Sequence, residues 1–269
     1  MKKKNIKSNI IGIFGFGNMG QAIFSLLKKE PGIKFIIYSL WTEKVSGAKC
    51  TKNIQELFDK SNIVFLCVKP QDFYNLPSIK IDNQKLILIS IMAGVRIKNI
   101  QRVFGARKIV RAMPNIALQV GKSVIGWCAD KKCFRSSDLK MVENIFSKFG
   151  TSLYFESESM LDSVTAISGS GPAYVFLFID ALEKAAKKIG FDEKGSREAV
   201  IGTIEGSIAY LRNEKSANLE KLITRVKSKK GTTEAAFDEI NITNFYSLWQ
   251  RATQKAKKRS EELSAHEIK

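Results

Sequence analysis

The sequence predicts two parts: an α/β domain built on a parallel sheet, followed by an all-α domain. From Asn9 to about Phe155, short β-branched runs alternate with segments of helical periodicity, the pattern of a parallel sheet covered by helices. After Glu156 these strand patterns stop, and the rest of the 269 residues reads as helices interrupted by glycine and proline. We therefore expect domains over residues 1–156 and 157–269.

Individual elements follow from the same patterns. The predicted strands are Ile10–Phe14, Lys34–Ser39, Ile63–Val68, Leu86–Ile91, Lys108–Arg111, Ser123–Cys128 and Ser152–Phe155. The predicted helices of the first domain are Met19–Lys29, Ile54–Lys60, Ile97–Phe104 and Ser136–Phe149. In the second domain, Tyr174–Ile179 is apolar on every side, so this helix is expected to be covered by neighbours or to lie in a subunit interface.

A net charge of +18 is the strongest departure from average composition. Lysines are scattered from Lys2 to Lys258 and rarely alternate with aromatic residues, as a base-stacking surface requires. No nucleic-acid partner is therefore expected. A basic protein does attract anionic cofactors and acids.

The cysteines and the histidine argue against several kinds of site. Four cysteines, Cys50, Cys67, Cys128 and Cys133, have neither the spacing of a disulfide framework nor that of a metal site. The one histidine, His266, lies in the polar C-terminal tail. We expect reduced thiols, no metal and no histidine-based acid–base catalysis.

The N-terminal and apolar segments indicate a soluble, cytoplasmic protein. The basic start Met1–Lys7 is followed by an apolar run that glycines interrupt at once, unlike a signal peptide. The longest apolar runs, Leu86–Val95 and Ala173–Ile179, are shorter than the roughly 20 residues of a membrane span. No membrane association is expected.

A glycine motif after the first strand predicts a dinucleotide site. Gly12–Gly20 contains the pattern GxGxxG between a strand and a helix. In this context Gly15 permits a tight turn, Gly17 lets the backbone approach a pyrophosphate, and Gly20 allows close packing of helix on strand. The positive end of the following helix receives the phosphate charge. This favours a nicotinamide-dependent oxidoreductase.

The end of the second strand favours NADP over NAD. An acidic residue there binds the ribose hydroxyls of NAD and repels a 2'-phosphate. Here Ser39 occupies that end without an acid, and Lys44 follows, although Glu43 opposes its charge. NADPH is the expected cofactor, with NADH as the alternative.

Two later strand ends are expected to border the cofactor. Lys69 follows a buried strand at the carboxyl edge of the sheet, where ligands of this architecture bind. The alternative is a solvated lysine before a helix that begins at Pro70. Asn115, after the strand containing Arg111, offers a donor and an acceptor suited to the nicotinamide carboxamide.

Taken together, these motifs resemble the pyrroline-5-carboxylate reductase family over almost the whole chain. The residues that carry the resemblance are Gly12–Gly20, Asn53–Leu57, Val68–Gln71, Ile89–Val95, Arg111–Asn115, Asp162–Tyr174, Gly231–Thr233 and Arg259–Leu263. Asp162–Tyr174 is the most specific of these segments. The resemblance implies an α/β Rossmann-type N-terminal domain followed by an all-α dimerisation domain, with active sites shared between the subunits of a homodimer or higher homo-oligomer.

The implied reaction is hydride transfer from NAD(P)H to the C=N carbon of 1-pyrroline-5-carboxylate, which gives L-proline in proline biosynthesis. The resemblance places the substrate carboxylate at Ser228, Gly231, Thr232 and Thr233, and the hydroxyl of Thr233, the candidate catalytic residue, near the ring nitrogen. The implied cofactor contacts are Phe14, Gly15, Phe16, Gly17, Asn18, Met19, Ser39, Asn53, Cys67, Val68, Lys69, Pro70 and Asn115.

The substrate loop departs from the family pattern. The family usually has Thr-Ser-Pro-Gly-Gly-Thr-Thr where this chain has Lys227–Thr233, so Lys229 and Lys230 replace Pro and Gly. A glycine there can be required for positive φ, which disfavours lysine, whereas added ammonium groups favour anion binding. Two alternatives therefore stay open: a reductase of another cyclic imine acid, and a catalytically silent homologue that binds the cofactor.

Overall fold

The computed structural model describes residues 9–76, 79–214 and 218–265. The strands are β1 (Asn9–Phe14), β2 (Ile33–Tyr38), β3 (Lys49–Thr51), β4 (Ile63–Leu66), β5 (Ile87–Ser90), β6 (Lys108–Met113), β7 (Ser123–Ala129) and β8 (Gly150–Tyr154). The first helices are α1 (Asn18–Leu27), α2 (Ile54–Lys60), α3 (Pro70–Tyr74), α4 (Ile97–Phe104) and α5 (Ser136–Phe149). The later helices are α6 (Met160–Val164), α7 (Gly171–Lys188), α8 (Glu193–Asn213), α9 (Leu219–Val226), α10 (Thr232–Glu239) and α11 (Ile242–Ser264).

The strands form one eight-stranded sheet in the order β3-β2-β1-β4-β5-β6-β7-β8. Neighbouring strands from β3 to β6 are parallel, and the order reverses direction between β1 and β4. In sheets of this kind ligands bind at the carboxyl edge beside such a reversal. The predicted α/β Rossmann-type domain followed by helices is confirmed.

Helices cover both faces of the sheet, and the side chains of β1 show why. Ile11 and Ile13 enter one buried cluster, together with Ile23 and Leu27 of α1. Phe14, on the opposite face, packs in a second cluster that also contains Leu57 and Phe58 of α2 and Phe104 of α4. Since both faces are buried, the central strands are apolar throughout rather than alternating with polar residues.

Three predictions about the first domain are corrected. Strand β3 was not predicted, because Lys49–Thr51 is short and lacks an apolar pattern. These residues form a strand because they pair with β2. Helix α3 was given only as the alternative at Lys69, a helix that begins at Pro70, and the structure has this helix with Pro70 in its first turn, a favoured position. Strand β7 runs antiparallel to β6, so the sheet is mixed rather than fully parallel. Strand direction depends on a distant partner and leaves no local pattern.

Several predicted boundaries shift by one or two residues. Ser39, Cys67, Val68, Leu86, Ile91 and Phe155 lie outside the strands assigned to them, and α1 ends at Leu27 rather than Lys29. The predicted strands Lys108–Arg111 and Ser123–Cys128 extend to Met113 and Ala129. The helices Ile54–Lys60, Ile97–Phe104 and Ser136–Phe149 have the predicted bounds. His266 lies outside the described residues.

The chain divides into two compact units. The first, called the sheet unit below, comprises the chain to Pro172 together with the stretch from Lys255. The second, called the helical unit, is Ala173–Gln254. The end of α11 thus belongs to the unit that contains the sheet.

A buried carboxylate connects this last stretch to the sheet unit. Asp162 is fully buried and accepts hydrogen bonds from the hydroxyls of Ser260, at 2.8 Å, and Ser264, at 3.1 Å. Its other oxygen pairs with the guanidinium of Arg96 at 3.1 Å. The carboxylate of Asp162 therefore connects Arg96, the N-cap residue of α4, with the end of α11.

Replacing Asp162 by alanine should lower the free energy of unfolding by about 3 kcal/mol, because the change leaves two buried hydroxyls and one guanidinium without their acceptor. Asp59→Ala is the matched control, since Asp59 is exposed and its one described hydrogen bond comes from the amide of the half-buried Gln55. Urea unfolding of both variants measures the difference. Equal stability of the two variants would contradict this account of Asp162.

Candidate active site

The glycine turn after β1 lies against the end of β4. Gly15 has a φ of +95°, a conformation that side chains disfavour, and its N–H donates to the Tyr38 carbonyl oxygen at 2.9 Å. A Cβ added at Gly15 would stand 2.9 Å from the Val68 nitrogen. The turn therefore requires glycine both for its backbone angle and for its close approach to Val68.

Gly17 and Gly20 differ in what surrounds them. A Cβ at Gly20 would stand 2.4 Å from the Gly15 carbonyl oxygen, whereas a Cβ at Gly17 would meet no protein atom within 4 Å. Gly17 is the N-cap of α1, with no side-chain cap and no acidic residue in the first turn. The start of α1 thus offers uncompensated N–H groups beside open space, which fits a pyrophosphate.

Ser39 closes a small turn after β2. Its hydroxyl oxygen accepts the N–H groups of Trp41, at 3.3 Å, and Thr42, at 3.2 Å. With both lone pairs occupied, the Ser39 hydroxyl donates its hydrogen to the Thr42 hydroxyl oxygen at 3.2 Å. The sequence predicts Ser39 itself as a phosphate donor. Within this turn, the Thr42 hydroxyl accepts a hydrogen bond but donates none among the described contacts.

Residues after β4 extend the carboxyl edge of the sheet. The Cys67 N–H donates to the Phe14 carbonyl oxygen at 2.8 Å, which brings this segment beside the glycine turn. Lys69 is exposed and is the N-cap of α3, whose first residue is Pro70. Burial raises the pKa of the Cys67 thiol, so Cys67 stays protonated and contributes packing rather than charge.

Two of the three predicted asparagines, Asn53 and Asn115, also hold local structure. The Asn53 side-chain oxygen caps α2 by accepting the Glu56 N–H at 3.2 Å. The Asn115 oxygen accepts the Ala117 N–H at 3.1 Å, and its amide nitrogen donates to the Ser168 carbonyl oxygen at 3.0 Å. Ser168 belongs to a π-helical turn, Thr165–Gly169. Asn115 therefore links the end of β6 to the glycine-rich segment before α7.

The other predicted cofactor residues belong to β1, the glycine turn and α1, and they differ in how deeply they are buried. Phe14 is buried with its ring against Tyr38, Phe58 and Phe104, so only its backbone can face a ligand. Asn18 is exposed in the first turn of α1. Phe16 and Met19 are half-buried and pack against the core cluster of α1. All the predicted cofactor residues except Ser39, Asn53 and Asn115 thus lie at the reversal between β1 and β4.

The predicted substrate loop connects α9 and α10. The Gly231 N–H donates to the Ser228 carbonyl oxygen at 3.0 Å, which closes a four-residue turn. Gly231 is the N-cap of α10, whose first two residues are Thr232 and Thr233, and no side chain caps this helix. Ser228, Gly231, Thr232 and Thr233 therefore lie together around the start of α10.

Thr233 lies in the wall of an open groove of about 930 Å3 within the helical unit. Leu222 and Val226 of α9 and Phe237 of α10 line the same groove. Its wall is mostly apolar.

The helical unit also exposes an apolar surface on α7. Phe176 and Leu177 are 60% and 66% exposed, as the all-round apolar sequence of this helix predicts for an interface. Among the described residues, Met160–Lys188 is long and apolar enough by length and composition to cross a membrane. The sequence estimate, which counted only uninterrupted apolar runs, is corrected in this respect.

Sequence reasoning missed two features of the site. Trp41, 91% exposed, lies within the turn that Ser39 closes, and only its position after β2 could have indicated that it borders the cofactor site. Glu234 contacts the substrate loop, and the pattern of a carboxylate in the first turn of a helix could have indicated it. In the part of the chain that the structure describes, no cluster of His, Cys, Asp or Glu suits a metal ion.

Comparisons with known families match both halves of the chain. A family model described as pyrroline-5-carboxylate reductase dimerisation matches residues 158–263. A model described as NADP oxidoreductase, coenzyme F420-dependent, matches residues 10–94, which include the glycine turn and the strands around it.

Individual relatives agree over nearly the full length. A pyrroline-5-carboxylate reductase of Aquifex aeolicus is 36% identical over 92% of this chain and 96% of its own. Pyrroline-5-carboxylate reductase 2 of Bacillus subtilis is 30% identical over 94% of both chains. The crystal structure of Plasmodium falciparum pyrroline carboxylate reductase with NADP bound has a TM-score of 0.84 and 28% identity, covering 97% of this chain and 100% of its own.

Proposed function

The chain belongs to the pyrroline-5-carboxylate reductase family, and on this premise we propose that it reduces 1-pyrroline-5-carboxylate to L-proline with NADPH. The observation that carries the proposal is the pair of helix starts: the open pyrophosphate cradle at Gly17 in one unit, and the uncapped start of α10 beside Thr233 in the other. The first helix start then binds the pyrophosphate of the cofactor, and the second binds the carboxylate of the substrate.

The cofactor is held by backbone groups more than by side chains. Gly15, Phe16, Gly17, Asn18 and Met19 present the turn and the first N–H groups of α1 to the pyrophosphate. Cys67, Val68, Lys69 and Pro70 form the neighbouring wall, where the exposed ammonium of Lys69 attracts the phosphates. Asn53 contributes its amide nitrogen, and Asn115 borders the nicotinamide.

Preference for NADPH over NADH follows from the turn after β2. No carboxylate stands at Ser39–Thr42 to repel a 2'-phosphate. Ser39 orients the Thr42 hydroxyl by donating to its oxygen, and the hydrogen of Thr42 is then available to the 2'-phosphate. The Plasmodium falciparum relative, whose crystal structure has NADP bound, supports the same choice.

The reaction asks little acid–base chemistry of the protein. The bound cofactor supplies the hydride, and the cyclic imine binds in its protonated form, so the protein orients the ring and fixes its carboxylate. The free N–H groups at the start of α10, with Ser228 and Gly231, hold the carboxylate. The Thr233 hydroxyl orients the ring nitrogen. This division of roles fits a described chain in which no histidine is available.

The helical unit assembles the protein into a homo-oligomer. Its exposed surface on α7 and the groove beside Thr233 face a second copy, so active sites are shared between subunits of a dimer or a larger assembly. Apolar residues of Met160–Lys188 then meet protein rather than lipid, and the buried carboxylate of Asp162 within this stretch supports that placement. Neither a membrane nor a nucleic acid is required as a partner.

Two further assignments complete the proposal. In sequence, the dinucleotide-binding domain comprises residues 1–156 and the helical domain residues 157–269. The family match that begins at residue 158 supports this boundary, whereas the compact units divide at Pro172 and at Lys255. The protein acts in the cytoplasm. Neither alternative, another cyclic imine acid or a silent homologue, is favoured by the relatives named above.

A direct assay tests the proposal. Purified protein is expected to oxidise NADPH only when 1-pyrroline-5-carboxylate is present, with a higher kcat/KM for NADPH than for NADH. The six-membered analogue should react more slowly. Folded, NADPH-binding protein without turnover would overturn the proposal, and faster reduction of the six-membered imine would reassign the substrate.

A further inference from the structure

The substrate loop contains an unfavourable backbone conformation. Lys230 has a φ of 58° and is the only non-glycine residue with positive φ in the described part of the chain. It occupies the third position of the turn that the Gly231 N–H and the Ser228 carbonyl oxygen close. Glycine is the usual residue at a turn position with positive φ, because a Cβ there approaches the neighbouring carbonyl oxygen. Another interaction must stabilise Lys230 in this conformation.

Glu234 supplies that interaction from the first turn of α10. One carboxylate oxygen accepts the backbone N–H of Lys230 at 2.6 Å, and the other lies 3.4 Å from the ammonium of Lys227. These two contacts lower the pKa of Glu234, the Lys230 N–H more than Lys227. The carboxylate is therefore ionised at neutral pH. It contacts Lys227 just before the turn and Lys230 within it.

The same geometry leaves the helix start free. Glu234 points back to the turn, and no side chain caps α10. The turn is also tight, since a Cβ added at Gly231 would stand 2.2 Å from the Ser228 hydroxyl oxygen. A small rotation at Lys230 therefore displaces Ser228 and Gly231 relative to the N–H groups of α10.

We infer that Glu234 is a positioning residue: it holds Lys230 in the left-handed conformation that sets the Ser228–Gly231 turn to receive the substrate carboxylate. This inference rests on the proposed function. It also explains how a loop with lysine at a glycine-favouring position keeps its shape.

The first test is Glu234→Ala in the full-length protein. We expect the KM for 1-pyrroline-5-carboxylate to rise about five- to tenfold, the effect of losing about one hydrogen bond that positions the turn, with kcat changed less than about twofold. The dissociation constant of NADPH should stay unchanged. Glu239→Ala removes the same charge from the exposed end of α10 and serves as the control.

The second test is rescue. Lys230→Gly in the Glu234→Ala background should restore most of the lost affinity, because glycine adopts positive φ without help. Glu234→Gln should also recover most of it, since the amide oxygen still accepts the Lys230 N–H. Neither rescue is expected if Glu234 acts only on overall stability.

The outcomes separate the inference from the proposed function. A KM for Glu234→Ala within twofold of the unsubstituted protein, or no rescue by Lys230→Gly, would overturn the inference. If Glu234→Ala fails to fold, Glu234→Gln and the double variant still decide: a raised KM in both overturns the inference, and a normal KM in both supports it. An inactive unsubstituted protein would instead overturn the proposed function.

Discussion

Replacing Gly17 by alanine is expected to weaken NADPH binding about a hundredfold while leaving the free protein folded. The added methyl group meets no protein atom within 4 Å, and the backbone of Gly17 is extended with a φ of −77°, which alanine adopts readily. The methyl group instead occupies the space where the pyrophosphate approaches the start of α1. One or two charge-assisted hydrogen bonds, each about 1.5–3 kcal/mol, are then lost.

Gly20→Ala separates cofactor contact from structural damage. Its Cβ would stand 2.4 Å from the Gly15 carbonyl oxygen, so the turn itself must move. We expect Gly20→Ala to lower the Tm of the free protein and also to weaken NADPH binding, whereas Gly17→Ala lowers only the binding. Titration calorimetry with NADPH and thermal unfolding of the free protein measure the two effects. An unchanged NADPH affinity in Gly17→Ala would show that the pyrophosphate lies elsewhere.

Thr233→Val is expected to reduce kcat/KM about a hundredfold, an effect comparable to removing one preorganised hydrogen-bonding group from an active site. Valine preserves the shape of threonine but loses the hydroxyl that orients the ring nitrogen. Since α10 starts at Thr232 and has no side-chain cap, the helix itself should remain intact. Thr233→Ser should recover much of the activity because it keeps the hydroxyl.

A suitable control for this substitution is Thr224→Val. The Thr224 hydroxyl donates to the Glu220 carbonyl oxygen at 2.9 Å within α9, so its loss removes a local bond away from the proposed chemistry. Steady-state kinetics of Thr233→Val, Thr233→Ser and Thr224→Val, with the NADPH dissociation constant measured separately, make the comparison. If Thr233→Val keeps near-normal kcat/KM, the hydroxyl has no part in orienting the substrate.

The sheet and its cofactor edge were predictable because their signals are local. β1 is an apolar run followed at once by a glycine turn, and α2 begins at an asparagine cap, so each element is specified within a few residues. β3 was not predictable, because its three residues form a strand only by pairing with β2. The antiparallel direction of β7 has the same cause, since it depends on β6 rather than on its own sequence.

The chemistry of individual side chains was less predictable than their positions. Ser39 was predicted as the last residue of the second strand and lies one residue beyond it, and only the fold of the turn shows that its hydroxyl is occupied by Trp41 and Thr42. The lysine at position 230 left two interpretations open. Its φ of 58° and its bond to Glu234 show that the turn keeps a glycine-like conformation despite the lysine. Such compensation comes from a residue outside the motif.

The most direct measurement of the central claim follows the hydride itself. Protein is incubated with 1-pyrroline-5-carboxylate and NADPH deuterated at the transferable C4 position, and the product is analysed by chiral chromatography and mass spectrometry. We predict L-proline carrying a single deuterium on the δ carbon, the former C=N carbon. Unlabelled proline, or no proline from folded protein that binds NADPH, would contradict the account.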